Sequence, residues 1–442
     1  MARNSIIMGA AGRDFHDFLV YFKDKEEYNV VAFTATQIPY ISERTFPASL
    51  SGRLYPNGIP VRPENELPNL IEANEVTDVY FAYSDVSNEY VMNIASIAQA
   101  KGASFHLLGP KETMIKSSKP VVAVVADRTG AGKSTISRMV ADILLGMGLK
   151  PVVVRHPMPY GDLEVAIQRF ETHADLDKYH TTIEEREEYE GHIDKGIVVY
   201  AGVDYGAILA QAEKEGDVVI WDGGNNDFSF YLPDITITVV DPMRPGDESR
   251  YFPGETNVRL ADALVVNKVN VAPKKTVDAV ADACRALNPG ALVVMTKSVA
   301  TLDRPELVRR KKVVVVEDGP SVTHGGLSEG AGAVAVRAAR GIMVDPRAKA
   351  VGSIRKAYQR FPKLGRVIPA LGYSEEQLKE LEKSINGVVC DAVVLGTPSD
   401  LTKIINIKRP VARVQFEAEE VGGHRLESLV KSNRRIQAAK PR

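Results

Sequence analysis

The chain has 442 residues, 55 Lys+Arg against 57 Asp+Glu for a formal net charge of −2, and is 44% hydrophobic and 25% charged. This composition is that of a folded globular chain and excludes wholly disordered, collagen-like and disulfide-rich classes. Near-neutral charge, 7% aromatic residues and a single Trp argue against nucleic-acid and membrane-surface partners, yet leave room for a small anion held by a few local cations.

At roughly 150 residues per domain the length suggests about three domains. Two cysteines, Cys284 and Cys390, can form neither a disulfide framework nor a four-cysteine zinc site, and point to a reducing compartment. No apolar run approaches the ~20 residues that span a bilayer. The opening Met1-Ala2-Arg3-Asn4-Ser5 leads into a strand pattern without the marks of a signal peptide. A cytoplasmic protein is expected.

Short Val/Ile-rich runs alternate with helical patterns, which predicts doubly wound parallel sheets. The expected fold is multi-domain α/β: a Rossmann-like N-terminal domain at 1–117, a P-loop NTPase domain at 118–311 and a C-terminal α/β region at 312–442. In the first module, strands fit at 5–8, 30–34, 79–82 and 104–108, and helices at 15–22, 64–74 and 88–100, the last capped by Ser87. The turn Gly9-Ala10-Ala11-Gly12 delivers Arg13 and His16, candidate anion contacts. The stretch 37–63 holds Pro39, Pro47, Pro56 and Pro60 and ends on Pro63, is too long for a routine connection, and reads as a functional loop.

The second module opens with 121–126, an apolar run without alternation, as in a strand buried on both faces. It runs into Ala126-Asp127-Arg128-Thr129-Gly130-Ala131-Gly132-Lys133-Ser134-Thr135 and an amphipathic helix. This is the strand–loop–helix setting of a phosphate loop. Gly130 and Gly132 let backbone N–H groups approach a phosphate, and the helix start adds about half a positive charge. Thr129, Gly130, Ala131, Gly132, Lys133, Ser134 and Thr135 form the nucleotide cradle, with Lys133 reaching the β/γ oxygens and Ser134 offering its hydroxyl to Mg²⁺. Asp127 stands where the usual motif has its first Gly. Arg128 occupies the place of the second, signature lysine of one P-loop subclass and is a candidate catalytic residue.

Arg155 and His156, at the end of the strand expected at 151–155, form a candidate clamp for a phosphoryl acceptor. The acidic helix at 181–192 reads as a solvated face. The strand at 217–222 ends in Asp222-Gly223-Gly224, with Asp222 as the magnesium-sphere carboxylate and Asn225 and Asp227 as secondary candidates. Further strands fit at 235–240, 263–267 and 291–296, and 247–250 is another candidate loop. Asn267-Lys268-Val269-Asn270 resembles the guanine-reading Asn-Lys-x-Asp with its carboxylate replaced by an amide. An amide pairs with the N6/N7 edge of adenine, so Asn270 favours ATP over GTP, with Asn267 a further candidate nucleotide contact.

The third region begins with a strand at 312–316 and the loop Glu317-Asp318-Gly319-Pro320-Ser321-Val322-Thr323-His324-Gly325-Gly326, in which Thr323, His324 and Gly325 are candidate anion contacts. A helix fits at 330–340, another at 374–384 with Ser374 as cap and Gln377 three residues on, and strands at 392–395 and 411–416. The basic tail 431–442 is expected to fray. Without C-x-x-C or H-E-x-x-H, no transition-metal site is expected.

Taken together, Gly9–His16, the Thr-Gly-Ala-Gly-Lys-Ser loop and Glu317–Gly326 resemble the cyclic 2,3-diphosphoglycerate synthetase family, P-loop proteins also labelled predicted GTPases. The resemblance implies ATP and Mg²⁺ as cofactors, a small phosphorylated acid similar to 2,3-diphosphoglycerate as substrate, and ligase activity that closes an intramolecular phosphoanhydride. Alternatives are a regulatory or metallochaperone-type GTPase and a small-molecule kinase. A homodimer is the expected assembly, since two-fold dimers are the commonest closed oligomers.

Overall fold

In the computed structural model the valine-rich runs form parallel strands, as their β-branched composition favours. The structure describes residues 2–10, 12–36, 44–156, 164–323, 328–371, 374–397, 400–423 and 425–440. The chain forms two compact units. Unit 1 comprises Met1–His180, His192–Ser298 and Ala418–Arg442, and unit 2 comprises Thr181–Gly191 and Val299–Glu417.

Among the described residues unit 1 holds two large sheets and a short antiparallel pair, Tyr251–Phe252 with Val86–Ser87. The first has the order Thr45–Phe46, Ile59–Pro63, Tyr28–Ala35, Arg3–Met8, Asp78–Phe81, Ser104–His106. Its neighbours are parallel except for the first pair. The second runs Ile167–Phe170, Val199–Gly202, Pro151–Arg155, Val218–Asp222, Val121–Ala126, Ile235–Val240, Ala263–Val266, and then the start of Leu292–Leu302. Only Ile167–Phe170 joins it antiparallel. All six residues of Val121–Ala126 are buried, the condition that sets an unalternating strand between helical layers. Ile167–Phe170, Val199–Gly202 and the helix Tyr205–Glu215 were not among the sequence expectations.

Unit 2 has a parallel sheet in which Lys312–Asp318 lies between Ala392–Gly396 on one side and Ile342–Met343 with Ile368–Ala370 on the other. Its alternate residues serve two cores. Val314 and Val316 pack with Ile354, Leu381 and Leu395, while Val313 and Val315 pack with Ala333, Val336 and Val394.

Several local expectations hold closely. The helix Asn88–Ala100 is capped by Ser87, whose hydroxyl accepts from the Tyr90 N–H at 3.1 Å. Ser374 caps Glu375–Asn386 through the Gln377 N–H. The helix expected at 15–22 instead starts at Arg13 and widens to a π-helical turn over Phe18–Phe22. The described part of the 37–63 stretch carries two short strands and the helix Ala48–Ser51, anchored by fully buried Phe46; 37–43 lie outside the described residues.

Two expectations are corrected. The acidic helix, Ile183–Ile193, is not a solvated face: Glu185, Arg186, Tyr189, Glu190 and His192 are buried. Among its described charges, Glu185, Arg186 and Glu190 are paired rather than hydrated. Glu185 accepts from the Thr182 N–H while the Thr182 hydroxyl accepts from the Glu185 N–H, and Arg186 and Arg413 both face Glu190. The tail does not fray up to residue 440. Arg434–Ala438 is helical, Ile436 is fully buried, and Arg435 pairs with Asp234 and donates to the carbonyls of Ser117 and Ser118. Among the described residues no helix is long and apolar enough to cross a membrane.

Candidate active site

The phosphate loop joins Val121–Ala126 to the helix Lys133–Gly146 at the carboxyl edge of the parallel sheet, where such sheets bind ligands. Gly130 (φ +81°) and Gly132 (φ +103°) take left-handed backbone conformations that only glycine adopts cheaply. A Cβ on Gly132 would lie 2.2 Å from Asn267 Nδ2.

Three side chains hold the loop by its carbonyls. Asn267 donates to Ala131 O at 3.0 Å, Lys268 to Gly130 O at 2.6 Å and Arg244 to Thr129 O at 2.7 Å. In a planar trans peptide the C=O and the next N–H point oppositely. Clamping the Thr129 and Ala131 carbonyls therefore aims the Gly130 and Gly132 N–H groups to the other side. Asn267 is buried and accepts from the Thr296 hydroxyl at 2.9 Å. Lys268 and Arg244 both meet Asp241, each at 3.0 Å. Asn267 thus shapes the loop. Asn270 has both amide functions on the Ser298 backbone, donating at 2.9 Å and accepting at 3.0 Å.

Lys133 opens the helix and lays its ammonium on the carbonyl of Asn225 at 2.5 Å. Asn225 has φ +45° and accepts the Thr129 hydroxyl at 3.3 Å. Ser134 is the second residue of the helix, and the Thr135 hydroxyl donates to Gly132 O at 2.7 Å. Arg128 is held on three sides: Asp85 at 2.8 Å, Asp247 beside it, and the Tyr251 ring 3.5 Å from its guanidinium carbon. Asp85, itself at φ +58°, comes from the first module and donates its N–H to Asn226 Oδ1 at 2.7 Å.

Asp127, at the motif's glycine position, is fully buried, and its Oδ1 has no hydrogen-bond partner among the described residues. Burial, reinforced by the neighbouring Asp241 carboxylate, pushes its carboxyl up to about 7. Asp222 behaves oppositely. Burial alone would raise it, but Arg155 at 2.8 Å and His192 at 3.3 Å, with Lys133 nearby, bring it down to about 2. Strand register sets this up, since Asp222 pairs with Arg155 on one side and Val124 on the other. Asp222 is an ionised carboxylate on the strand beside the loop that carries Ser134, its Oδ1 paired with Arg155 at 2.8 Å, and a carboxylate in that place suits a hard divalent cation.

Arg13 and His16 lie buried within unit 1. Arg13 donates to Leu108 O at 3.0 Å, faces Asp17 at 3.5 Å and Asp227 at 3.9 Å, and stacks 4.2 Å from the Phe228 ring centroid. His16 stacks on Phe230 at 4.1 Å and meets the Thr113 carbonyl at 2.6 Å; burial drops its imidazole to about 3. His156 Nε2 lies 3.1 Å from Asp227 Oδ2. The phosphate loop, Asp222, Arg155, His156 and Arg128 thus share one network.

In unit 2, the Thr323 hydroxyl donates to Gly319 O at 2.7 Å; His324, Gly325 and Gly326 lie outside the described residues. Glu317 occupies the start of the helix Ala331–Ala338, accepting N–H bonds from Gly330, Gly332 and Ala333. Burial nevertheless pushes it up to about 7.

Sequence reasoning missed Asp85, Asp241, Asn226 and Asn257. Asn226 donates to Asp127 O at 2.8 Å, and Asn257 donates to Asn226 O at 2.8 Å and Asp227 O at 3.2 Å. Asn226 sat beside quoted candidates, and a polar residue after an apolar strand end was the available signal for Asp85 and Asp241. Asn257, inside Gly254–Leu260, carried none.

No family model matches the chain. Arginine synthetase ArcE of Thermococcus kodakarensis is 54% identical over 427 residues, 96% of this chain and 95% of that protein. Cyclic 2,3-diphosphoglycerate synthetase of Thermococcus sibiricus is 26% identical over 290 residues, 58% of this chain and 64% of that protein. Among solved structures, LpxK from Aquifex aeolicus in complex with ATP aligns with 79% of this chain and 95% of its own at a TM-score of 0.44 and 14% identity. The resemblance to the diphosphoglycerate synthetases therefore holds as kinship, at roughly half the identity of the ArcE match. The chain is an ATP-dependent ligase-type enzyme and belongs to the family of arginine synthetase ArcE.

Proposed function

We propose that this enzyme makes arginine, using ATP to activate an oxygen that a nitrogen nucleophile then replaces. The observation that carries the reading is 54% identity to arginine synthetase ArcE over 96% of the chain. A guanidinium differs from a urea by one nitrogen in place of oxygen. Phosphorylating the urea oxygen makes it a leaving group, and ammonia can then displace inorganic phosphate. A phosphate loop supplies the first of these steps.

In this reading the Gly130 and Gly132 N–H groups and Lys133 bind the β- and γ-phosphates. Lys133 exchanges its contact with the Asn225 carbonyl for phosphate oxygens. Ser134 and Asp222 would hold Mg²⁺, which supplies charge neutralisation on the phosphoryl group. Arg155 keeps Asp222 ionised. Arg128 serves the transferred phosphoryl group once released from Asp85 and Asp247. ATP is preferred over GTP, because position 270 has no carboxylate to accept from the guanine N–H groups, and the Asn270 amide is engaged on the Ser298 backbone. A cytoplasmic homodimer completes the proposal.

Identity to cyclic 2,3-diphosphoglycerate synthetases of two Thermococcus species, 26% and 28%, supports a second reading. There the acceptor is a phosphate of a small phosphorylated acid, and a second phosphate closes the anhydride. Both readings share the first phosphoryl transfer. Phosphorus NMR together with amino-acid analysis of the purified enzyme's reaction with ATP separates them. Arginine and inorganic phosphate appearing only with a ureido amino acid plus ammonium supports the first; turnover triggered by 2,3-diphosphoglycerate alone overturns it in favour of the second.

A further inference from the structure

The near-neutral total charge hides a strongly basic stretch. Between residues 304 and 366 stand 14 Lys and Arg against five Asp and Glu. The stretch belongs to unit 2. Three of its arginines, Arg337, Arg347 and Arg366, line one cavity of about 570 Å³, the size of a small-molecule site. Among the described residues Glu329 is the one carboxylate in its wall, and Ile342 and Met343 give it an apolar side. No residue of the phosphate loop contributes to it.

Local structure brings these groups together. Arg337 comes from the last turn of the helix Ala331–Ala338, and Ile342 and Met343 pair with Lys312 and Val313 at the end of the sheet. The Gly365 N–H donates to the Ser328 carbonyl at 2.7 Å, and a Cβ on Gly365 would lie 2.6 Å from that oxygen. This glycine therefore lets the segments that carry Glu329 and Arg366 close against each other. Internal pairs use only part of the donor set. Arg337 Nη1 donates to Glu329 at 2.6 Å. Arg347 turns Nε and Nη2 to Asp345, which with the added charge of Arg366 holds that carboxyl below its ordinary range. Arg366 is exposed and has no hydrogen-bond partner among the described residues.

Three guanidinium groups against one lining carboxylate make the cavity electropositive, and a bound anion relieves the repulsion between them. Each guanidinium fork matches two oxygens of a carboxylate or phosphate. A carboxylate offers two oxygens and one charge. A phosphate monoester offers three acceptor oxygens and close to two charges, enough for more than one fork. We propose that unit 2 carries an anion site of its own, at which Arg337, Arg347 and Arg366 hold the phosphate of a small phosphorylated molecule while Ile342 and Met343 pack against its carbon skeleton. Glu329 orients the ligand, because its carboxylate repels the phosphate toward Arg347 and Arg366. The site does not depend on the arginine-forming reading above.

The test is isothermal titration calorimetry of the full chain carrying Lys133→Ala, which disables the phosphate loop, with phenyl phosphate, inorganic phosphate and succinate as probes. Phenyl phosphate is expected to bind at one site per chain. It should bind more tightly than inorganic phosphate, because its ring covers Ile342 and Met343, and more tightly than succinate. Arg347→Gln and Arg366→Gln, each added to that chain, should weaken it about tenfold or more, the scale of a lost charged hydrogen bond. Lys356→Gln removes an exposed charge of the same stretch outside the cavity and should leave the affinity within about twofold. Melting curves check that each variant is folded. Absence of phosphate binding overturns the proposal, and so does equal weakening by Lys356→Gln and the cavity variants, which marks a diffuse charge effect. Tighter binding of succinate overturns phosphate as the ligand, and equal affinity for the two phosphates overturns the apolar wall. Binding of a short RNA without binding of phenyl phosphate overturns the small-molecule site in favour of a nucleic-acid surface. Arginine formation is assayed separately with the unaltered enzyme, so its failure is distinguishable from failure of this site.

Discussion

Arg155 and Asp222 stand in register on adjacent strands with guanidinium and carboxylate 2.8 Å apart, both buried. Neither charge reaches water, so each depends on the other. Arg155→Met should leave Asp222 with His192 and Lys133 as its remaining counter-charges. Breaking a buried pair from one side costs about 3–5 kcal/mol, and a loss of that order is expected in denaturant unfolding at pH 7. The gap should narrow in acid, where protonation of Asp222 removes the stranded charge. A loss under about 1 kcal/mol at pH 7 would show that the pair is not needed.

Asp127 supplies the opposite sign. Its folded carboxyl is raised to about 7 from an ordinary 3.8. Its contribution to stability is therefore fully present below about 3.8 and lost as pH rises through 7. Asp127→Asn should match the wild type near pH 4 and exceed it at pH 8, read as melting temperature against pH. A pH-independent difference would contradict the assignment.

Lys133→Ala should lower nucleotide turnover by at least about 10²-fold, the scale of one lost transition-state donor. Losing its bond to the Asn225 carbonyl costs about 1 kcal/mol, so the variant should stay folded. Circular dichroism with a phosphate-release assay checks both halves. Turnover within a few-fold of wild type would refute the phosphate-loop assignment.

These sites were legible to different depths. The loop around Lys133 was readable because a phosphate cradle is local: strand, two glycines and helix lie within about one turn of chain each. Asn267 has a task that its motif does not announce: its amide holds Ala131 O, which no spacing rule reveals. The acidic helix misled because charge runs are usually hydrated, and Arg413, which meets Glu190, is remote in sequence. Asp85 and Arg128 lie 43 residues apart in sequence and meet only in the fold, a tertiary fact that local patterning does not encode.

The carboxyl-terminal helix offers a fourth test. Ile436→Ala should cost about 2–5 kcal/mol, as for a fully buried aliphatic side chain. Arg435→Ala should cost at most about 1 kcal/mol, because its Asp234 pair is half in water. Chemical denaturation of both variants ranks them, and the reverse order would mean that the tail is held by charge rather than by packing.

Glu190 has a bearing on how the protein can be made and divided. It is buried in unit 2, where it accepts the Asp400 N–H at 3.2 Å and faces Arg413 at 3.9 Å. Unit 2 is thus stitched from two stretches of chain, 181–191 and 299–417. A ribosome must deliver everything between them before that unit can close, a long-range pairing that slows folding. A fragment beginning at residue 299 would leave Arg413 without the Glu190 carboxylate, so a cut there divides the second unit rather than releasing it.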